Sequence, residues 1–146
     1  MVTTQGITAA QAALSLEVDS DGVAWLVFDN PDSKVNLLTR AVMERLDQLL
    51  TQLEEGARTG RVKALVVRSG KDGSFIAGAD VREIAGITDA EEAAVQAAAG
   101  QAVFLRLERL PLPTIAAIDG TGAGRRWRRS RPPAQTGAGM NRCWHL

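Results

Sequence analysis

Leu14, Leu16 and Val18 alternate with Ser15 and Glu17, a period of two that predicts a half-buried strand. Asp19-Ser20-Asp21-Gly22 supplies turn chemistry, and Val23-Ala24-Trp25-Leu26-Val27-Phe28 reads as the returning arm of a hairpin. Asn30-Pro31-Asp32-Ser33 ends that arm, because proline has no N–H to give a ladder. The period then changes. Val42, Leu46, Leu49, Leu50 and Leu53 share one face of a helix, with Thr39 as its N-cap and Gly56 as the left-handed residue that stops it.

Residues 63–68 form the next strand, whose uninterrupted apolar centre implies burial on both faces in a parallel or mixed sheet. Thr88-Asp89-Ala90-Glu91 is a capping box for a second long helix, with Val95, Ala98, Ala102 and Leu105 as its inward stripe. Leu110-Pro111-Leu112-Pro113 terminates that helix. Thr114-Ile115-Ala116-Ala117-Ile118-Asp119 is a fourth strand. The order β-β-α-β-α-β argues an α/β layer protein with its ligand site at the carboxyl ends of the strands. Trp25 and Phe28 fit as core or sheet residues rather than stacking platforms.

Composition narrows this picture only slightly. The 146 residues suit one domain, and 45% hydrophobic with 23% charged residues is a globular balance. No apolar run approaches a membrane span, and the first residues show neither a secretory nor a transit signal, so a cytoplasmic location is expected. The lone Cys143 fits a reducing compartment, and with only His145 beside it no metal site is expected.

Charge changes more. All 17 acidic residues lie at or before Asp119 together with 11 of the 17 basic ones, so residues 1–121 carry a net charge of −6. Residues 122–146 hold six arginines and no acid. The break divides the chain into a flexible N-terminus over 1–12, a folded unit over 13–121 and an Arg-rich tail over 122–146.

The candidate chemistry sits in Ser74-Phe75-Ile76-Ala77-Gly78-Ala79-Asp80, between the third strand and Val81. Side chains this small leave backbone N–H groups accessible to a ligand and suited to a carbonyl oxygen that gains charge during reaction. The same composition also makes an ordinary turn, and the loop alone does not separate the two.

Three segments in order do separate them. Asp32-Ser33-Lys34-Val35-Asn36-Leu37-Leu38, Phe75-Ile76-Ala77-Gly78-Ala79-Asp80 and Pro113-Thr114-Ile115-Ala116-Ala117-Ile118-Asp119-Gly120-Thr121 resemble the crotonase (enoyl-CoA hydratase/isomerase) superfamily, most of all the hydratase domain of multifunctional fatty-acid oxidation alpha subunits. The resemblance implies the N-terminal part of an α/β, crotonase-like (ClpP/crotonase) β-β-α spiral fold. It implies an acyl-CoA substrate, no separate cofactor, and assembly as a homo-oligomer or within a β-oxidation complex. Lys34, Val35 and Asn36 then lie along the CoA body, and Ala77, Gly78 and Ala79 at the adenine and thioester ends, with the Ala79 N–H as the first oxyanion donor and Asp80, next to them in the substrate-binding segment, as a structural carboxylate.

The family pattern fails after Gly120. A Gly-Gly-Gly-x-Glu segment is expected there, yet Arg125 and Arg126 stand at glycine positions and Arg128 stands for the glutamate. The second acid/base carboxylate is missing too, since no Asp or Glu follows Asp119. If Gly124-Arg125-Arg126-Trp127 is encoded GGG CGG CGG TGG, a shift of one base restores Gly-Gly-Gly, so a frameshift is the expected origin of the tail. The chain then reads as a hydratase or isomerase fragment with little activity. The alternative is a non-catalytic CoA-binding remnant or an Arg-tailed module for phosphate or nucleic acid, though basic runs of this kind are mostly just solvated. Truncation is expected to leave Leu65, Val67, Ile115 and Ala117 partly uncovered.

Overall fold

The computed structural model describes residues 9–119 and the backbone of residues 143–145. In chain order these are α1 (Ala9–Ala13), β1 (Leu14–Val18), β2 (Val23–Phe28), β3 (Leu37–Leu38), α2 (Arg40–Arg58), β4 (Ala64–Ser69), β5 (Gly78–Ala79), α3 (Val81–Ala85), α4 (Ala90–Glu108), β6 (Thr114–Ala117) and β7 (Cys143–His145). The larger sheet runs β1-β2-β4-β6-β7, antiparallel at its two ends and parallel between β2, β4 and β6. A second sheet pairs only β3 with β5. Among the described residues no helix is long and apolar enough to cross a membrane.

The hairpin forms where alternation and turn chemistry place it. Asp19 Oδ1 accepts from the backbone N–H groups of Asp21 and Val23, and Gly22 takes φ +84° to close the turn. β2 then alternates between half-buried and buried positions, with Ala24, Leu26 and Phe28 turned into the core. Trp25, on the opposite face, donates its Nε1–H to Asp19 Oδ2 and lies under the Arg68 guanidinium, 5.7 Å from its ring centre.

One face of the sheet carries the core. The buried side of α2 and the inward residues Leu14, Leu26, Phe28, Leu65, Val67 and Ala116 form one apolar cluster. Burial of β4 is therefore one-sided, not two-sided as its composition suggested: Ala64 and Val66 are half-buried and Arg68 is exposed. Leu65 and Val67 are covered, against expectation, and Ile115 and Ala117 are half-buried. Exposed large apolar side chains occur at Val18, which ends β1, and on α3 and α4 at Val81, Ile84, Val95, Phe104 and Leu105.

Three further boundaries differ from the sequence reading. α2 passes through Gly56 to Arg58, and the left-handed residue beyond it is Gly60 at φ +73°. Gly56 is buried because Val62 packs onto it; a Cβ there would lie 2.5 Å from Val62 Cγ2. α4 is capped by Asp89 rather than Thr88, with Oδ1 accepting from Glu91 N–H at 3.0 Å. Cys143–His145, within the stretch read as an out-of-frame tail, pairs antiparallel with β6 and so occupies that strand's outer edge. The arginine cluster at 125–131 lies outside the described residues.

Candidate active site

β2 and β4 are parallel neighbours in register, so their last residues, Phe28 and Ser69, end side by side. The chain leaves both strands at this carboxyl end. Residues 29–38 and 70–79 then run to a common point, where Leu37 pairs with Gly78 and Leu38 with Ala79. The first two segments singled out in the sequence therefore meet, joined by a two-residue parallel pairing. β6 is parallel to β4 and ends on the same side, with Asp119 exposed; the third segment continues beyond the described residues.

Asn36 sits where the two segments meet and is fully buried. Its Nδ2 donates to Ser69 Oγ at 2.8 Å and to the Phe75 carbonyl at 2.9 Å, while its Oδ1 accepts from Asn30 N–H at 3.0 Å. Its backbone carbonyl accepts from Ala77 N–H at 2.9 Å. Lys71, largely covered, supports the same corner: its ammonium lies 2.6 Å from Asp29 Oδ1 and donates to the Asn30 carbonyl. Lys34 is exposed and Val35 is half-buried.

The loop leaves this corner in a conformation its small residues permit. Gly78 takes φ +123°, a value that a side chain would strain, and Ala79 after it is exposed. Asp80 is buried and caps α3: Oδ1 accepts from the Arg82 backbone and Nε at 2.9 and 3.1 Å, and Oδ2 from Nη2 at 2.8 Å. The Arg82 guanidinium and backbone N–H hold the Asp80 carboxyl below the usual carboxylate range, so it is an ionised acceptor and not a proton donor. Glu83 accepts from Arg40 N–H at 2.8 Å through Oε2, a carboxylate at the start of α2 that favours the helix dipole. The loop is thus anchored upstream by Asn36 and downstream by Asp80 and Glu83.

The structure brings Asn36, Ala77, Gly78, Ala79 and Asp80 together, with Lys34 and Val35 leading into the same corner. Their exposures differ: Ala79 and Lys34 reach solvent, whereas the Asn36 and Asp80 side chains are engaged inside the protein. Sequence reasoning missed the anchoring roles of Ser69, Lys71 and Glu83. Only Glu83 had a signal, since an acidic residue three positions after a capping Asp marks a helix start, but its actual partner lies on another helix. A cleft of about 530 Å³, lined in part by Asp19, Gln52, Arg61 and Lys63, lies at the amino ends of β2 and β4, away from every candidate residue.

Residues 19–125 match the enoyl-CoA hydratase/isomerase family. A fatty acid oxidation complex subunit alpha from Aliivibrio fischeri is 42% identical over 113 residues, covering 77% of this chain and 16% of that protein. Its counterpart from Vibrio campbellii is 40% identical over 114 residues, with 78% and 16% covered. The chain thus spans about 16% of the length of these curated relatives. Among solved structures, an enoyl-CoA hydratase from Bacillus anthracis superposes with TM-score 0.65 at 29% identity, over 74% of this chain and 40% of that one. The enoyl-CoA hydratase from Mycobacterium smegmatis gives TM-score 0.65 at 28% identity, over 73% and 39%. With the family match extending over most of its length and the mixed sheet superposing on crotonase-fold enzymes, the chain belongs to the enoyl-CoA hydratase/isomerase family.

Proposed function

We propose that this corner binds the CoA thioester of a 2-enoyl or related acyl chain, with residues 32–38 along the CoA body and the Ala79 N–H at the thioester oxygen. The observation that carries the reading is the parallel pairing of Leu37–Leu38 with Gly78–Ala79, which sets the two segments side by side at the carboxyl end of the sheet. Asn36 contributes there through its backbone and Lys34 through its exposed ammonium. No cofactor is needed, because the thioester itself stabilises charge at the carbon where proton transfer occurs.

In the complete reaction, addition of water at C3 pushes negative charge onto the thioester oxygen, and backbone donors stabilise the resulting enolate. One carboxylate takes a proton from water and another delivers one to C2. The Ala79 N–H supplies the first part only. Asp80 and Glu83, the acids beside the loop, are engaged by Arg82 and by the Arg40 N–H. No acidic residue follows Asp119, and arginines replace the second donor and the glutamate. Loss of one oxyanion donor costs on the order of a hundredfold in rate, and loss of the acid/base pair adds roughly a hundredfold or more. We therefore infer an acyl-CoA-binding fragment of a fatty-acid oxidation hydratase that no longer hydrates, its frame lost near Gly122. Within a longer product the same unit would serve in a fatty acid oxidation complex, as the names of its relatives suggest.

Titration with crotonyl-CoA, alongside its absorbance under turnover conditions, tests this. Saturable binding with no hydration is expected, and resequencing codons 120–146 should restore Gly-Gly-Gly-x-Glu in a second frame. Robust hydration by the 146-residue chain would overturn the assignment of the lost carboxylates and direct mutagenesis to Asp80 and Glu83.

A further inference from the structure

We infer that the Asn36 side chain is a positioning residue that makes residues 30–38 and the 74–79 loop one mechanical unit, so that a CoA thioester held along the first orients the Ala79 N–H of the second. The inference rests on the proposed acyl-CoA reading for its ligand, but its mechanical half stands on geometry alone.

Asn36 is fully buried, and both hydrogens of its Nδ2 are used across the fold, on Ser69 at the end of β4 and on the Phe75 carbonyl at the loop's start. Its Oδ1 holds Asn30 N–H, six residues back at the start of its own segment. The surroundings define the amide's orientation: a backbone N–H requires an acceptor on one side, and a backbone carbonyl requires a donor on the other. Leucine would fill the space and orphan all three partners. Aspartate would accept from Asn30 and set a charge against the Phe75 carbonyl.

The corner is braced from behind. Ser69 Oγ, besides accepting from Asn36, accepts from Lys71 N–H at 2.9 Å, and the Lys71 ammonium returns to Asp29 and the Asn30 carbonyl. Displacing either segment thus breaks bonds in the other. The Asn36 carbonyl carries this connection to Ala77, two residues before the proposed donor. Leaving a buried polar group unpaired has a cost large enough to open a local segment at least tenfold more often.

Amide hydrogen exchange on the full 146-residue chain, with and without crotonyl-CoA, tests the inference using Ser69→Ala and Asn36→Asp. In both variants Ala77, whose N–H bonds the Asn36 carbonyl, should exchange about tenfold faster, while Leu46 and Leu50 in α2 stay within about twofold of the unsubstituted chain. Crotonyl-CoA should slow exchange at Leu38 and Ala79 by the same factor in the unsubstituted chain and by different factors in Ser69→Ala. Equal acceleration of loop and α2 would show a merely structural role, and unchanged loop exchange would show no coupling; either overturns the inference. Should Asn36→Asp fail to fold, Ser69→Ala, which removes a partner at the edge of the buried network, carries the test. Failure of the unsubstituted chain to bind crotonyl-CoA would sink the functional reading and the ligand half of the inference, leaving the exchange comparison to decide the mechanical half.

Discussion

α2 and α4 are both 19 residues long and both start from a capped N-terminus, yet they are held in opposite ways. α2 buries Val42, Leu46, Leu49, Leu50 and Leu53 in the core. α4 buries only Leu107 and leaves Val95 63%, Phe104 43% and Leu105 46% exposed. What fastens α4 is largely polar: Arg106 reaches α2 and bonds Asp47 Oδ1 at 2.7 Å, Thr51 Oγ1 at 2.8 Å and both oxygens of Glu54 at 2.8 and 2.7 Å. Apolar burial fixes a helix by area, whereas a guanidinium clamp fixes its rotation about its axis with little area buried.

The contrast is broken most severely by equal truncations on the two helices. Leu50→Ala should cost about 2–5 kcal/mol, because removing a fully buried leucine side chain leaves a cavity in the core cluster. Leu105→Ala should stay within about 0.5 kcal/mol. Urea denaturation of both variants, followed by circular dichroism, checks the difference; comparable losses would mean that α4 carries more core than its exposure shows.

A smaller effect sharpens the α2 side. Gly56→Ala raises helix propensity, which in an exposed position would stabilise by up to about 1 kcal/mol. Here the new methyl meets Val62 at 2.5 Å, so the expected sign is destabilising, by about 1 kcal/mol or more. The double variant Gly56→Ala with Val62→Ala should recover part of the loss in the same denaturation experiment. A stabilised Gly56→Ala single variant would show that Val62 yields freely.

These two helices also show how far the fold can be read from one dimension. Leucines set among Glu, Gln and Arg give α2 high contrast between faces, and every apolar residue assigned to its inner face is buried. α4 is rich in alanine, so several faces read alike, and the stripe Val95, Ala98, Ala102 and Leu105 turns outward while Val103 and Leu107 pack inward. The side is chosen by Arg106 and acids 52 and 59 residues earlier, a long-range pairing that periodicity does not encode. Gly56 and Gly60 pose a similar ambiguity, since either could end the helix and only packing against Val62 tells them apart. At the candidate site, the small residues of the loop were legible and their anchoring was not. Asn36 reads as one polar residue in an extended segment, but its partners Ser69 and Phe75 lie 33 and 39 residues away.

The smallest predicted effect is the pH dependence of the α4 clamp. Hydrogen bonding and charge from Arg106 hold the Glu54 carboxyl below its ordinary value of 4.5, and the same bonds raise the Arg106 pKa further, so the guanidinium stays charged throughout. A carboxyl with a depressed folded-state pKa contributes stability that is fully present above its unfolded value and is lost as pH falls through the folded one. The clamp should therefore act at constant strength from pH 7 down to about 5 and weaken progressively below 4.5. Asp19 and Asp80 are also held low, by Trp25 and Arg82, and push overall stability in the same direction, so the raw profile does not isolate the clamp. Arg106→Leu does. It keeps aliphatic contact while removing the guanidinium, and its stability should fall less steeply than that of the unsubstituted chain between pH 5 and 3, with the two curves converging at the acid end. Because Glu54 is 41% exposed and solvent screens such pairs, the difference at neutral pH should be no more than about 1 kcal/mol. Parallel curves over the whole range would show that Arg106 holds α4 through its alkyl stem and not through its charge.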